Sequence, residues 1–141
     1  MREILFRGKN EYHNKWFFGD LRHGGYYSGD AEIYIVDSSQ GYIINYPAIP
    51  ETVGQFTGLT DKNGTKIFEG DIVEGHCHSR WRHDVQRCEI AYDRDGFEAR
   101  HHVKCGEEER YYSYKVLFSK DVVVIGNIHD NPELLEVEDG K

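Results

Sequence analysis

The segment Thr52–Val73 leaves this chain few folds to choose from. Asp61-Lys62-Asn63-Gly64 has Asp at the first position of a type I turn and Gly where a left-handed residue follows. A few residues on, Glu69-Gly70-Asp71 turns the chain again, because Gly accepts positive φ without a Cβ clash. Around these turns stand Phe56, Leu59, Ile67, Phe68, Ile72 and Val73, apolar residues suited to a core. Two turns this close together leave no room for a helix. The segment predicts three short strands joined by tight turns, with Asp61, Asn63, Gly64, Glu69, Gly70 and Asp71 in structural roles.

The rest of the chain carries the same period. Glu3–Arg7, Lys15–Asp20, Ala31–Val36 and Tyr42–Tyr46 read as strands separated by glycine-rich or polar turns. Pro47 and Pro50 then interrupt any regular ladder. Val85–Tyr92, Phe97–Arg100 and the alternating Arg110–Phe118 follow, with Asp95-Gly96 as a hairpin turn and Cys105–Arg110 as a polar loop. Val122, Val123, Val124 and Ile125 form a run suited to a strand buried on both faces. Asn131 is expected to cap a single short C-terminal helix, with Pro132 at its first position. The expected architecture is mainly β: many short antiparallel strands in one domain over residues 1–141, as a small barrel-like or two-lobed fold.

Composition narrows the function classes. The chain has 141 residues with a net charge of −8, and its core relies on 10 tyrosines, 7 phenylalanines and 2 tryptophans. Residues 1–75 and 121–141 are acidic, whereas 76–120 carries a slight basic excess. An acidic chain is a poor match for phosphate backbones, whose binding runs on Lys and Arg. Three cysteines without a leader or long apolar run argue against a disulfide framework and for a reducing cytoplasm.

Three regions together resemble the YopX family of phage and prophage proteins. They are Gly58–Gly64 with Ile67–Val73, Ile4–Gly8 with Trp16–Leu21, and Val124–Leu134. Their order and spacing match over nearly the whole chain. The resemblance implies a phage-associated protein with a YopX-like β fold, and it supplies no catalytic residues to carry over. The segment from about Glu74 to Lys120 contributes least to it.

Three kinds of chemistry compete for the middle of the chain. His76, Cys77, His78, His83, Cys88 and Cys105 are of zinc-ligand type, yet no C-x₂-C or H-x₃-H spacing joins them, and the strand pattern buries Cys88. Arg80, Trp81 and Arg82 could grip a phosphate and stack a base, or, with Tyr26 and Tyr27, furnish the Trp, Tyr and Arg typical of protein interfaces. No Walker loop, G-x-S-x-G or H-E-x-x-H motif points to a reaction.

The reading that follows is a cytoplasmic, non-enzymatic phage or prophage accessory protein. It is expected to bind a phage or host protein, with no cofactor and no membrane. The alternatives are a nucleic-acid-binding module using residues 76–120 and, more remotely, a metal-dependent enzyme.

Overall fold

The computed structural model describes residues 2–76, 85–115 and 121–136. Eleven strands and two 3₁₀ turns account for most of them. The strands are β1 (Phe6–Asn10), β2 (Lys15–His23), β3 (Ile33–Asp37), β4 (Ile44–Pro47), β5 (Gly54–Thr60) and β6 (Lys66–Phe68), then β7 (Asp71–Gly75), β8 (Gln86–Asp93), β9 (Gly96–Cys105), β10 (Glu108–Lys115) and β11 (Val122–Asn127). They form two open antiparallel sheets, ordered β4-β3-β2-β1-β5-β6 and β10-β9-β8-β7-β11. The mainly β expectation is met, but neither sheet closes into a barrel. Each keeps two end strands, and one of them, β4, is four residues long and finishes on Pro47, which cannot donate to a further ladder. The chain divides into two compact units, Met1–Gly58 and Leu59–Lys141.

In the first unit β1 is the central strand, pairing with β2 from Phe6↔Gly19 to Asn10↔Lys15 and with β5 at Phe6↔Gln55. Gly8 is where the packing is tightest. A Cβ there would lie 2.9 Å from the Ala48 Cβ and 3.0 Å from the Ile35 Cγ1, so only Gly lets these two core residues close over β1. Ile35 is fully buried, and the rings of Phe17 and Tyr46 stack at 3.7 Å across the sheet.

The second unit is organised by two buried aspartates. The Asp61 carboxylate accepts the N–H groups of Asn63 and Thr65 on Oδ1 and of Val124 on Oδ2, each at 2.9 Å. Gly64 has φ +84° and closes the turn by donating its N–H to the Asp61 carbonyl. Asp71 accepts the Phe68 N–H at 2.7 Å, while Gly70, at φ +93°, donates to the Ile90 carbonyl and accepts from the Ile128 N–H. Each turn is therefore tied to a strand distant in sequence. Ile67, Val73, Cys88, Ile90, Ala99 and Val122 pack into one cluster, flanked by Leu59 and Val124.

Three local expectations are corrected. β11 is an end strand rather than a central one, with Val122 buried but Val123 to Ile125 only partly so, and a bulge falls between Val124 and Gly126. Residues 105–110 are not a loop: β9 runs to Cys105, Gly106-Glu107 turn the chain, and Glu108 already pairs with Cys105 in β10. The C-terminal helix is a single 3₁₀ turn, Pro132–Leu135, without a side-chain cap. The Asn131 Oδ1 instead accepts the Asn127 N–H at 3.3 Å, reaching over Gly126, where a Cβ would lie 2.6 Å from it.

Candidate functional site

Asn10 builds the wall of a cleft in the first unit. It ends β1 and is buried, and both its side-chain oxygen and nitrogen are hydrogen-bonded. Nδ2 donates to the Pro47 carbonyl at 2.8 Å, while Oδ1 accepts the N–H groups of Tyr12 at 2.9 Å and His13 at 3.1 Å. These bonds fix the β1–β2 turn, where Asn14 takes φ +53°, against the segment that follows β4. Thr52 fixes the other end of that segment. Its Oγ1 accepts the Lys9 N–H at 2.9 Å and donates to the Ile49 carbonyl at 2.6 Å.

Between these elements and the start of β3 lies a cleft of about 470 Å³. Its wall is the segment Pro47–Pro50 with the ring of Tyr34, whose hydroxyl accepts the Ala31 N–H at 3.0 Å. Tyr12, 80% exposed, stands at its edge. Glu11, Asp30, Glu32 and Glu51 line it as well. Asp30 accepts the Tyr27 N–H, but among the described residues no Lys or Arg pairs with Glu11, Glu32 or Glu51. The cleft thus combines an apolar wall, two tyrosines and acids that no Lys or Arg pairs among the described residues. That chemistry suits a cation carried on an aliphatic or planar stem.

A second polar constellation lies on one face of the five-stranded sheet. The His102 Nε2 is 2.9 Å from the Glu89 Oε1, and the Arg100 Nε is 3.3 Å from the Glu98 Oε2. The Arg100 guanidinium lies 4.7 Å over the ring of Tyr111. Burial works against the charge of Arg100, but Glu98, Tyr111 and Glu89 outweigh it and hold the guanidinium above its usual range. His102–Glu89 and Arg100–Tyr111 meet across strands, whereas Glu98 and Arg100 share β9, and the buried Arg100 Nε makes no hydrogen bond among the described residues.

The residues singled out from the sequence are scattered by the fold. Tyr26 and Tyr27 are 77% and 79% exposed in the β2–β3 connection, next to Asp30 of the cleft. Arg80, Trp81 and Arg82, with Cys77, His78 and His83, lie outside the described residues. Of the remaining ligand candidates, Cys88 is fully buried in the second unit's core, Cys105 is exposed at the β9–β10 turn, and His76 pairs with Asp121. No group of three metal-ligating side chains converges among the described residues. Glu69 and Asp71 stand at the second turn, as Asn63 and Lys62 do at the first. The sequence reading missed the cleft, whose acids are spread from Glu11 to Glu51 on segments joined by the Asn10 and Thr52 bonds and by the Ala48 and Ile49 N–H groups, which donate to the Ile33 and Lys9 carbonyls. A buried Asn ending a strand, followed by an acidic and aromatic turn, was the one local signal.

Comparison with known proteins agrees with this architecture. The sequence model of the YopX protein family matches residues 5–136. The crystal structure of protein EF1440 from Enterococcus faecalis is similar to 96% of this chain over 100% of its own length, at 25% identity and a TM-score of 0.52. None of the curated proteins compared matches. No helix among the described residues is long and apolar enough to cross a membrane.

Proposed function

We propose a protein-binding role for this chain, which belongs to the YopX family. It acts in the cytoplasm of a bacterial host as a phage or prophage accessory protein, without catalysis, by receiving a basic segment of a phage or host protein. One observation carries the reading: the cleft of about 470 Å³ whose carboxylates Glu11, Glu32 and Glu51 have no compensating cation among the described residues. A Lys or Arg side chain would lay its stem on the Pro47–Pro50 wall and its charge among these acids, with Tyr12 offering a ring face, since Arg22 already lies 4.3 Å over the Tyr34 ring. Tyrosines exposed beside the mouth supply the amphipathic area that protein interfaces favour. A nucleic-acid backbone would meet repulsion in the same place.

The test is a titration followed by amide chemical shifts. A short arginine-containing peptide should shift the Tyr12, Ala48 and Glu51 amides, and the shifts should vanish in Glu32→Gln/Glu51→Gln. Raised salt should weaken the effect, since part of the attraction is between exposed charges. An oligonucleotide should leave these amides unmoved. Equal shifts from peptide and oligonucleotide, or unchanged peptide binding in the double variant, would refute the reading.

A further inference from the structure

Asn63 alone among the asparagines of this chain is followed by glycine. The pair is chemically labile, because the glycine main-chain nitrogen can attack the asparagine Cγ with no Cβ in its way. Asn63 is exposed, and nothing lies within 4 Å of where a Gly64 Cβ would stand, so the electrophilic amide is open to water. The nucleophile is held. The Gly64 N–H donates to the Asp61 carbonyl at 3.0 Å, and the N–H groups on either side, of Asn63 and Thr65, both donate to the Asp61 Oδ1 at 2.9 Å. Asp61 is itself buried, its own N–H donating to the Thr65 carbonyl at 2.8 Å and its Oδ2 accepting the Val124 N–H at 2.9 Å. The nitrogen that would react is thus tied into the turn that Asp61 anchors to β11.

We propose that Asn63 is a site of spontaneous deamidation and that opening of the Asp61 turn sets its rate. The Gly64 N–H first leaves the Asp61 carbonyl and gives its proton to hydroxide. Its nitrogen then bonds to the Asn63 Cγ, and the side-chain amide nitrogen leaves as ammonia with a proton from water, closing a cyclic imide. Water opens the ring, so that overall a water is consumed and an ammonia released. Opening at the former side-chain carbonyl yields aspartate on an unchanged main chain. Opening at the other yields isoaspartate, in which the main chain runs through Cβ and Cγ and is longer by a methylene. That extra carbon moves the Gly64 and Thr65 N–H groups off their acceptors on Asp61, whereas the aspartate form keeps them in place. Chain length rather than added charge is what disturbs the turn.

The test follows the full chain at mildly alkaline pH, folded and in guanidinium chloride. Mass spectrometry tracks the peptide that carries Asn63, with isoaspartate resolved by chromatography. The unfolded chain should deamidate at Asn63 before any other asparagine, and the folded chain at least about tenfold more slowly. The slowing should match, within about threefold, the protection of the Gly64 amide in hydrogen exchange, because both reactions start from the same freed N–H. In Asp61→Asn, deamidation and Gly64 exchange should speed up together. The chain isolated with isoaspartate at position 63 should melt below the parent, and Asn63→Asp close to it. An Asn63 that survives in the unfolded chain, equal rates folded and unfolded, a slowing that departs from the Gly64 protection, or an isoaspartate form as stable as the parent would overturn the proposal.

Discussion

Replacing Asp61 tests the central turn and its attachment to β11 in one experiment. The carboxylate is 5% exposed and accepts three backbone N–H groups. A hydrogen bond to a charged acceptor contributes about 1.5–3 kcal/mol, though the three share one group and will not add fully. Asp61→Ala should therefore cost about 3–5 kcal/mol, the Val124 N–H bearing most of it because the turn's own N–H groups can reach water. Asp61→Asn is the sharper probe. It keeps an oxygen for Asn63 and Thr65 but turns an NH₂ group toward the Val124 N–H, donor against donor, for a loss of about 2–3 kcal/mol. The loss should depend on pH. Burial pushes the Asp61 carboxyl up, but the N–H groups of Val124, Thr65 and Asn63, with the charge of Lys62, outweigh it and hold the group below its ordinary value. A carboxyl depressed in the folded state stabilises fully above its unfolded pKa, near 3.9, and the gain disappears as pH falls through the folded value. Urea unfolding followed by tryptophan fluorescence should show a parent–variant gap that is constant at neutral pH and closes below about pH 4. Other acids titrate in both proteins and cancel in the difference. An Asn variant as stable as the parent, or a gap that persists unchanged into strong acid, would refute the argument.

Other perturbations separate conformation, packing and chain length. Gly64→Val should cost about 1–3 kcal/mol through positive φ alone, since nothing lies within 4 Å of a Cβ there, while Gly64→Asn should be nearly neutral in thermal melts because Asn tolerates that conformation. Gly70→Val should cost at least as much, because that residue is buried as well as left-handed. Asn10→Ala should lose about 2–4 kcal/mol and release the Tyr12 and His13 amides to faster hydrogen exchange, with peptide binding weakened in parallel. A fragment ending at Asp121 should fail to fold its second unit, having lost the Val122 core position and the β7–β11 ladder; a protease-resistant fragment with native circular dichroism would contradict this.

What was legible in the sequence follows from how local its causes are. The two turns of Thr52–Val73 needed only Asp, Asn and Gly at given offsets, whereas the Asp95-Gly96 hairpin turn was placed one residue late: Arg94-Asp95 turn the chain and Gly96 already pairs with Asp93. Cys88 was correctly assigned to the core by alternation alone, and it is fully buried. Errors arose where a tertiary bond decided the outcome. An unbroken run of β-branched residues does not say whether its strand will be central, and Val122–Ile125 ended up at an edge with a bulge. Asn131 had the composition of a cap, but the nearer demand of the Asn127 N–H took its side chain. Glu108 and Glu109 looked too polar for a strand, yet both lie in β10, where they are exposed, while Glu107 does sit in the turn. The cleft was illegible for the same reason, since Glu11, Glu32 and Glu51 come to line it only through tertiary bonds, such as Asn10 to the Pro47 carbonyl and the Ile49 N–H to the Lys9 carbonyl.

The location of charge also weighs between the two binding readings. The slight basic excess of residues 76–120 was the sequence's best argument for nucleic acid. Among the described residues of that stretch, Arg87 donates to Glu74 at 2.7 Å, Arg100 lies against Glu98 at 3.3 Å, and Arg110 donates to Glu108 at 2.9 Å. To grip a phosphate, each would first have to give up a carboxylate, and no net counterion release would follow from the exchange. The acids of the cleft are in the opposite position, because no Lys or Arg among the described residues pairs with Glu11, Glu32 or Glu51. A basic ligand gains these charges without breaking an existing pair, whereas an acidic ligand must break several. Under the proposed function a cation is therefore expected at the first unit rather than a phosphate at Arg87, Arg100 or Arg110, and salt should weaken the former without any oligonucleotide competing for it.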